Sequence, residues 1–309
     1  MPRKLKLEGL QAELSAVDAL LKQAIEVGDP IGEMQLSRRK QKIENEVNQI
    51  DQHPVMTASV ALFFGGEPVL GSRGISADFA GHTLELFQEL VSRTFAKTEV
   101  GVLGTRGPIP LKQRTTLMVT EIAKGSFGFI LDELSDQTEI VGTELKLMVE
   151  EVTRIIERTA SPNEIEFEEV AETLDARTLI ALRDFFVNLD SSAATLRVVE
   201  DVVDIALDSP SIHRARLRTE ATSIDEEEEF IEGELFGFLP EHRKFELRLE
   251  GGDVVYGSVS KEASEQYKAF INSDKSVVGR KWKLKVRKRV VKPLNRPHRE
   301  VYWLLEFTE

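Results

Sequence analysis

Alternation of basic and apolar residues over 281–289 constrains this chain more than any other feature. In an extended segment successive side chains point to opposite faces, so Trp282, Leu284 and Val286 share one side. Lys281, Lys283, Lys285, Arg287 and Arg289 share the other, as a comb of cations roughly 6.6 Å apart. The pattern predicts a strand with one buried face. Further alternation surrounds it: Ile231, Leu235 and Leu239 with Gly233 and Gly237 between them, then Phe245, Leu247 and Leu249, then Val255, Gly257 and Val259. Val301, Trp303, Leu305 and Phe307 follow the comb with the same period. Gly251-Gly252-Asp253 is a hairpin turn, and residues 261–273, with Ala263, Tyr267, Phe270 and Ile271, read as a helix. The order β-β-β-α-β-β over 230–309 predicts a five-stranded small barrel, OB-like or SH3-like.

Charge is divided unevenly along the chain. The total is −13, with −1 in residues 1–55, −16 in 56–229 and +4 in 230–309. Between Lys275 and Arg299 there are eleven Lys or Arg and no carboxylate. Lys292, Arg296 and Arg299 extend the comb into the loop after it. Tyr302 is expected to point outward from the last strand, with Phe245 and Trp303 in phase with the core. This basic face predicts binding of a nucleic-acid backbone, DNA or RNA. Two other readings of the same residues stand beside it. Edge strands carry lysine to discourage aggregation, and a basic face also meets acidic protein surfaces, including the acidic middle of this chain. The run Asp225-Glu226-Glu227-Glu228-Glu229 repels itself and reads as a linker between the two units, or as a polyanion mimic covering the basic site.

The remaining sequence predicts a multidomain α+β protein. Leu7, Leu10, Leu14, Val17, Leu21 and Ala24 follow coiled-coil spacing, Gly28-Asp29-Pro30 stops that helix, and Leu36, Ile43, Val47 and Ile50 line a second one ending at His53-Pro54. Residues 1–54 therefore read as an antiparallel, coiled-coil-like hairpin, packed on the next domain or serving homo-oligomerisation or a protein partner. Residues 55–224 read as an acidic α+β domain without the β-α-β rhythm of a dinucleotide fold. Within it, 59–64 and 68–70 are expected to pair as a hairpin, 116–122 and 127–131 as a second. Helices are expected from about 141 to 157, after a Ser161-Pro162-Asn163-Glu164 capping box with proline first in the helix, from about 176 to 188, and after Ser209-Pro210. Residues 195–207 fit strand or helix.

Chemistry-bearing patterns are sparse. Leu70-Gly71-Ser72-Arg73-Gly74 and Leu103-Gly104-Thr105-Arg106-Gly107 are near-identical loops in which glycine and an arginine fork suit a phosphate, with Lys124 a third contributor. They suggest a nucleotide or phosphate ligand, or simple surface turns. Asp132, Glu144 and Lys146 imitate a nuclease metal motif on the wrong element, and the five histidines are dispersed. No cofactor, metal or catalytic constellation is predicted. Absence of cysteine and of any long apolar run leads us to expect a cytoplasmic, non-enzymatic interaction protein.

Overall fold

A computed structural model describes residues 1–52, 56–100, 107–123, 127–134, 142–272, 276–292 and 298–308. Among these, no helix is long and apolar enough to cross a membrane. Two helices, α1 (Arg3–Val27) and α2 (Pro30–Gln52), pack antiparallel. Gly28 takes the left-handed conformation at φ 74° and closes α1, while Asp29 Oδ1 accepts from the amides of Ile31 and Gly32 and opens α2. The seam residues are Leu7, Leu10, Leu14, Val17 and Leu21 against Leu36, Ile43 and Val47, but only Val17 and Ile43 are fully buried. His53 and Pro54 lie outside the described residues.

The hairpin is rooted in the next unit. The Lys4 amide donates to the Asp201 carbonyl at 2.8 Å, Lys4 Nζ meets Asp204 at 2.8 Å, and Arg197 meets Glu8 at 3.5 Å. That unit contains β1 (Ser59–Gly66), α3 (Ala77–Val100), β2 (Met118–Ala123), β3 (Phe127–Asp132), α4 (Glu144–Ala160), α5 (Glu164–Thr173), α6 (Ala176–Ser191), β4 (Ala194–Glu200), β5 (Val203–Leu207) and α7 (Ser209–Ala221). Its antiparallel sheet has the order β2-β3-β1-β4-β5. The apolar run of β1 explains its central place, because a middle strand is covered on both faces. Leu62 and Phe64 face the helices, with Phe87, Val149, Ile156, Phe185 and Phe186 in the main core. Ala61 and Phe63 face the other way, under Met1 and Leu5 of the hairpin.

Several expectations for this unit need correcting. Residues 68–70 do not return along β1; that strand pairs with β3 and β4, and only an isolated bridge joins Val69 to Ile75. Residues 195–207 are the strands β4 and β5. Asn163, not Pro162, bounds α5, accepting from the Ile165 amide, and Asp208 caps α7 by accepting from Ser211. In both cases a short side chain one or two residues from the proline reaches the free amides, so the proline marks the neighbourhood of the helix start rather than its first residue.

The last unit comprises β6 (Ser223–Leu239), β7 (Lys244–Leu249), β8 (Val254–Val259), α8 (Lys261–Asn272), β9 (Lys281–Lys292) and β10 (Arg299–Thr308). Its strands close into a barrel in the order β10-β8-β7-β6-β9, all neighbours antiparallel except β8 and β10. Leu235, Phe245, Leu247, Leu284, Val286 and Leu304 fill it, with Tyr267 of α8 stacked on Phe238 at 3.9 Å. Gly257 is needed where β8 meets β10, since a Cβ there would stand 2.0 Å from the Tyr302 carbonyl oxygen.

The acidic run expected as a linker is ordered strand. Residues 225–229 belong to the first half of β6, a strand of 17 residues that pairs with β9 from Ser223 to Glu234 and with β7 from Gly233 onward. Ile224 and Val291, at one end of this ribbon, join the core of the α+β unit, while Leu235 and Leu284 sit in the barrel core. Like charges that would drive a free segment into solvent are stabilised here because the opposing strand carries the opposite sign.

Candidate nucleic-acid interface

Strand β9 presents its cations on the outer face as the alternation predicts. Directly opposite, in register, β6 presents Glu226 to Arg289, Glu228 to Arg287, Glu232 to Lys283 and Glu234 to Lys281. Every comb residue is ion-paired within the chain. Lys281 meets Glu250 at 3.0 Å, Lys283 meets Glu232 at 3.4 Å, and Lys285 and Arg287 share Glu228 at 2.9 and 2.6 Å. Their contacts hold Glu228 below the usual carboxylate range, hydrogen bonding from Arg287 being the largest cause. Arg289 meets Glu226 at 2.8 Å, and the two side chains are only 5% and 8% exposed. Lys292 pairs with Asp225.

The far end of the comb is an internal docking contact. Arg289 also approaches the carbonyls of Glu172 and Thr173 at 3.5 and 3.4 Å, and Lys97 of α3 donates to the same Thr173 carbonyl. Two cations thus sit at the C-terminus of α5, where unsatisfied carbonyls and the helix dipole favour positive charge. Arg299 completes the contact with Glu168 at 2.9 Å and with Glu172. Exposure therefore falls along the strand, from 77% at the Lys281 side chain to 18% at Arg287.

Phase is reversed in the last strand. A bulge between Leu304 and Glu306 turns Tyr302 toward the barrel core and Trp303 outward. Lys288 stands 5.9 Å from the Tyr302 ring centre and Glu300 accepts from its hydroxyl at 2.8 Å; burial, then Glu300, pushes Tyr302 up to about 12. Tyr302 is thus no stacking platform, and Trp303, assigned to the core from sequence, is the outward ring. A second bulge, between Leu235 and Gly237, likewise buries Phe238 and exposes Leu239. Counting by twos across a bulge inverts every later residue. Beside Trp303 in register lie Ser258 of β8 and, one strand further, Lys244 of β7.

Of the residues expected to hold a phosphate, only Arg73 lies among the described residues. Arg73 is exposed on a tight turn closed by Leu70 and Gly74, whose amide and carbonyl lie 2.8 Å apart. Arg106, Lys124 and Arg296 lie outside the described residues. Asp132 is engaged by the Met1 ammonium at 2.8 Å and by Ser59 at 2.5 Å, Glu144 by Arg114, and Lys146 by Glu150 and Asp201. The three share no centre, and no group of carboxylates and histidines suited to a metal occurs among the described residues. One titratable group was missed by sequence reasoning. Glu200, at the end of β4, is 3% exposed, and burial followed by repulsion from Glu150 and Asp201 pushes its carboxyl up to about 7. No family model, curated protein or solved structure matches this chain.

Proposed function

We propose that this chain is a non-enzymatic interaction protein of the cytoplasm, an adaptor that self-associates through its N-terminal hairpin and carries an OB-like barrel locked onto its α+β domain. The observation that carries the adaptor reading is the incomplete burial of the hairpin. Two helices cover each other's seam only partly, and Leu20, Ile25, Val27, Ile31 and Met34 near the turn are exposed. Pairs of this length are marginal unless the apolar stripe is covered further. The hairpin of a second copy offers an identical stripe and would complete a four-helix arrangement. The barrel's strand order, with its helix between the third and fourth strands, supports the OB-like assignment.

Light scattering should report a dimer, and the double substitution Ile25→Glu with Ile31→Glu should shift it to monomer without lowering the melting temperature of the remaining body. A wild type that stays monomeric at the highest soluble concentration rejects self-association.

A second reading, nucleic-acid backbone binding by the barrel, draws on the well-exposed Lys281 and Lys283. Against it, cations already paired to carboxylates are poorly placed to neutralise phosphates and so to release the counterions condensed on the nucleic acid, and that release drives most non-specific affinity. Gel-shift titration with duplex DNA at two salt concentrations should therefore give little or no shift. A strong shift at low salt that disappears in Lys281→Glu with Lys283→Glu would restore the nucleic-acid reading.

A further inference from the structure

A cleft of about 720 Å³ separates the barrel from the α+β unit. Its volume is within the range of roughly 300–1,000 Å³ usual for small-molecule sites. Two kinds of group converge on it. From the barrel come two rings, Trp303 of β10 and Tyr256 of β8; they lie on one outward face, because Trp303 is in register with Ser258. Tyr256 is 75% exposed and also borders an apolar groove formed with Phe238, Leu239 and Val278. The exposed Tyr256 ring and the half-buried Trp303 ring offer flat faces on which a planar aromatic stacks.

The charged lining sorts into paired and unpaired groups. Three carboxylates reach the cleft, and each is engaged by a cation: Glu169 by Arg158, Glu172 by Arg299, and Glu300 by Lys288 at 2.7 Å. Arg289 is held by Glu226. Two ammonium groups remain. Lys97 donates only to the Thr173 carbonyl, and Lys244 only to Ser258 Oγ at 3.2 Å; neither has a carboxylate partner among the described residues. One comes from each unit. Two ammonium groups without a direct carboxylate contact thus stand next to two outward rings, Arg289 lying beside Lys97 and the charges of Asp175, Glu151 and Glu226 acting on Lys97 from farther off.

We propose that this cleft is a binding site for a nucleotide, free or as the terminal residue of a single strand, with Lys97 and Lys244 meeting the phosphate and Trp303 and Tyr256 stacking the base. The site is separate from the hairpin and touches the comb only at its far end, Arg289, so it goes beyond the adaptor reading. Burial and the neighbouring Arg289 lower Lys97 to about 8, which a bound phosphate would reverse.

Calorimetric titration of the full chain at low salt, with AMP, adenosine, inorganic phosphate and a short oligothymidylate as probes, tests this. AMP or the oligonucleotide should bind at least tenfold more tightly than adenosine or phosphate alone. AMP tighter than the oligonucleotide identifies a free nucleotide, and the reverse identifies a strand end. Lys244→Ala and Trp303→Leu should each weaken that binding at least tenfold, with thermal melting confirming that both variants fold. Absence of binding by AMP and oligonucleotide, or equal affinity in both variants and wild type, overturns the site. Because Ile25 and Ile31 are untouched, failure here leaves the oligomeric state as found.

Discussion

Arg289→Met should destabilise the protein by about 3–5 kcal/mol, the usual consequence of removing one member of a buried ion pair. Glu226 is as buried as its partner, so the substitution strands a carboxylate away from water. It also withdraws a donor from the carbonyls that end α5. Chemical denaturation of Arg289→Met, Glu226→Leu and the double variant forms a cycle. Each single variant should be strongly destabilised. The double variant should recover most of the loss, since a buried pair replaced by apolar groups of similar volume is often no less stable. Substitutions at Lys281 or Lys283 should cost no more than about 1 kcal/mol, because exposed pairs contribute little. An Arg289→Met protein within about 0.5 kcal/mol of wild type would mean that the barrel is not anchored through this residue.

Glu200→Gln should stabilise the protein at pH 8 by up to about 3 kcal/mol and change it little at pH 5. The carboxyl titrates near 7 when folded and near its ordinary value of 4.5 when unfolded. Between those values the folded state holds the extra proton, so wild-type stability falls as pH rises from about 4.5 to about 7 and is level above. The charges facing Glu200 are Glu150 of α4, Asp201 beside it and the partly compensating Lys146. A neutral amide lacks the ionisation step, so the difference between variant and wild type should grow through that window. Denaturation midpoints at four pH values would show it. A difference independent of pH would remove Glu200 from the explanation.

How much of this was legible in the sequence varies with the physics behind each element. The barrel strands, α8 and the five-cation comb follow from alternation and turn chemistry, which are local. The acidic run at 225–229 was misread because like-charge repulsion was weighed without a partner. A signal was present: Glu226, Glu228, Glu232 and Glu234 repeat with the same period of two as the comb, interrupted only by Phe230. Two combs of opposite sign and equal period specify an antiparallel ribbon. The exchange of Tyr302 and Trp303 was not recoverable by counting, since a bulge is fixed by barrel curvature and not by the residues next to it. Likewise, the pairing of β1 with β3 and β4 depends on contacts far apart in sequence, whereas the expected local hairpin used only neighbours. Glu200 stayed hidden because its burial depends on Val203 and the α4 helix closing over the strand end.

Strand β6 leaves α7 after a single residue and ends inside the barrel, so the same backbone contributes Ile224 to one core and Leu235 to the other. No hinge interrupts it. A cut anywhere between 224 and 234 severs a strand rather than a tether, leaving the Val291 end of β9 paired with β10 alone. Expressing the barrel from residue 230 onward should thus give an aggregation-prone fragment with an unpaired edge. Mechanically, the two bodies resemble beams sharing one continuous rod: load applied to the barrel passes into the α+β sheet instead of being absorbed by a flexible joint.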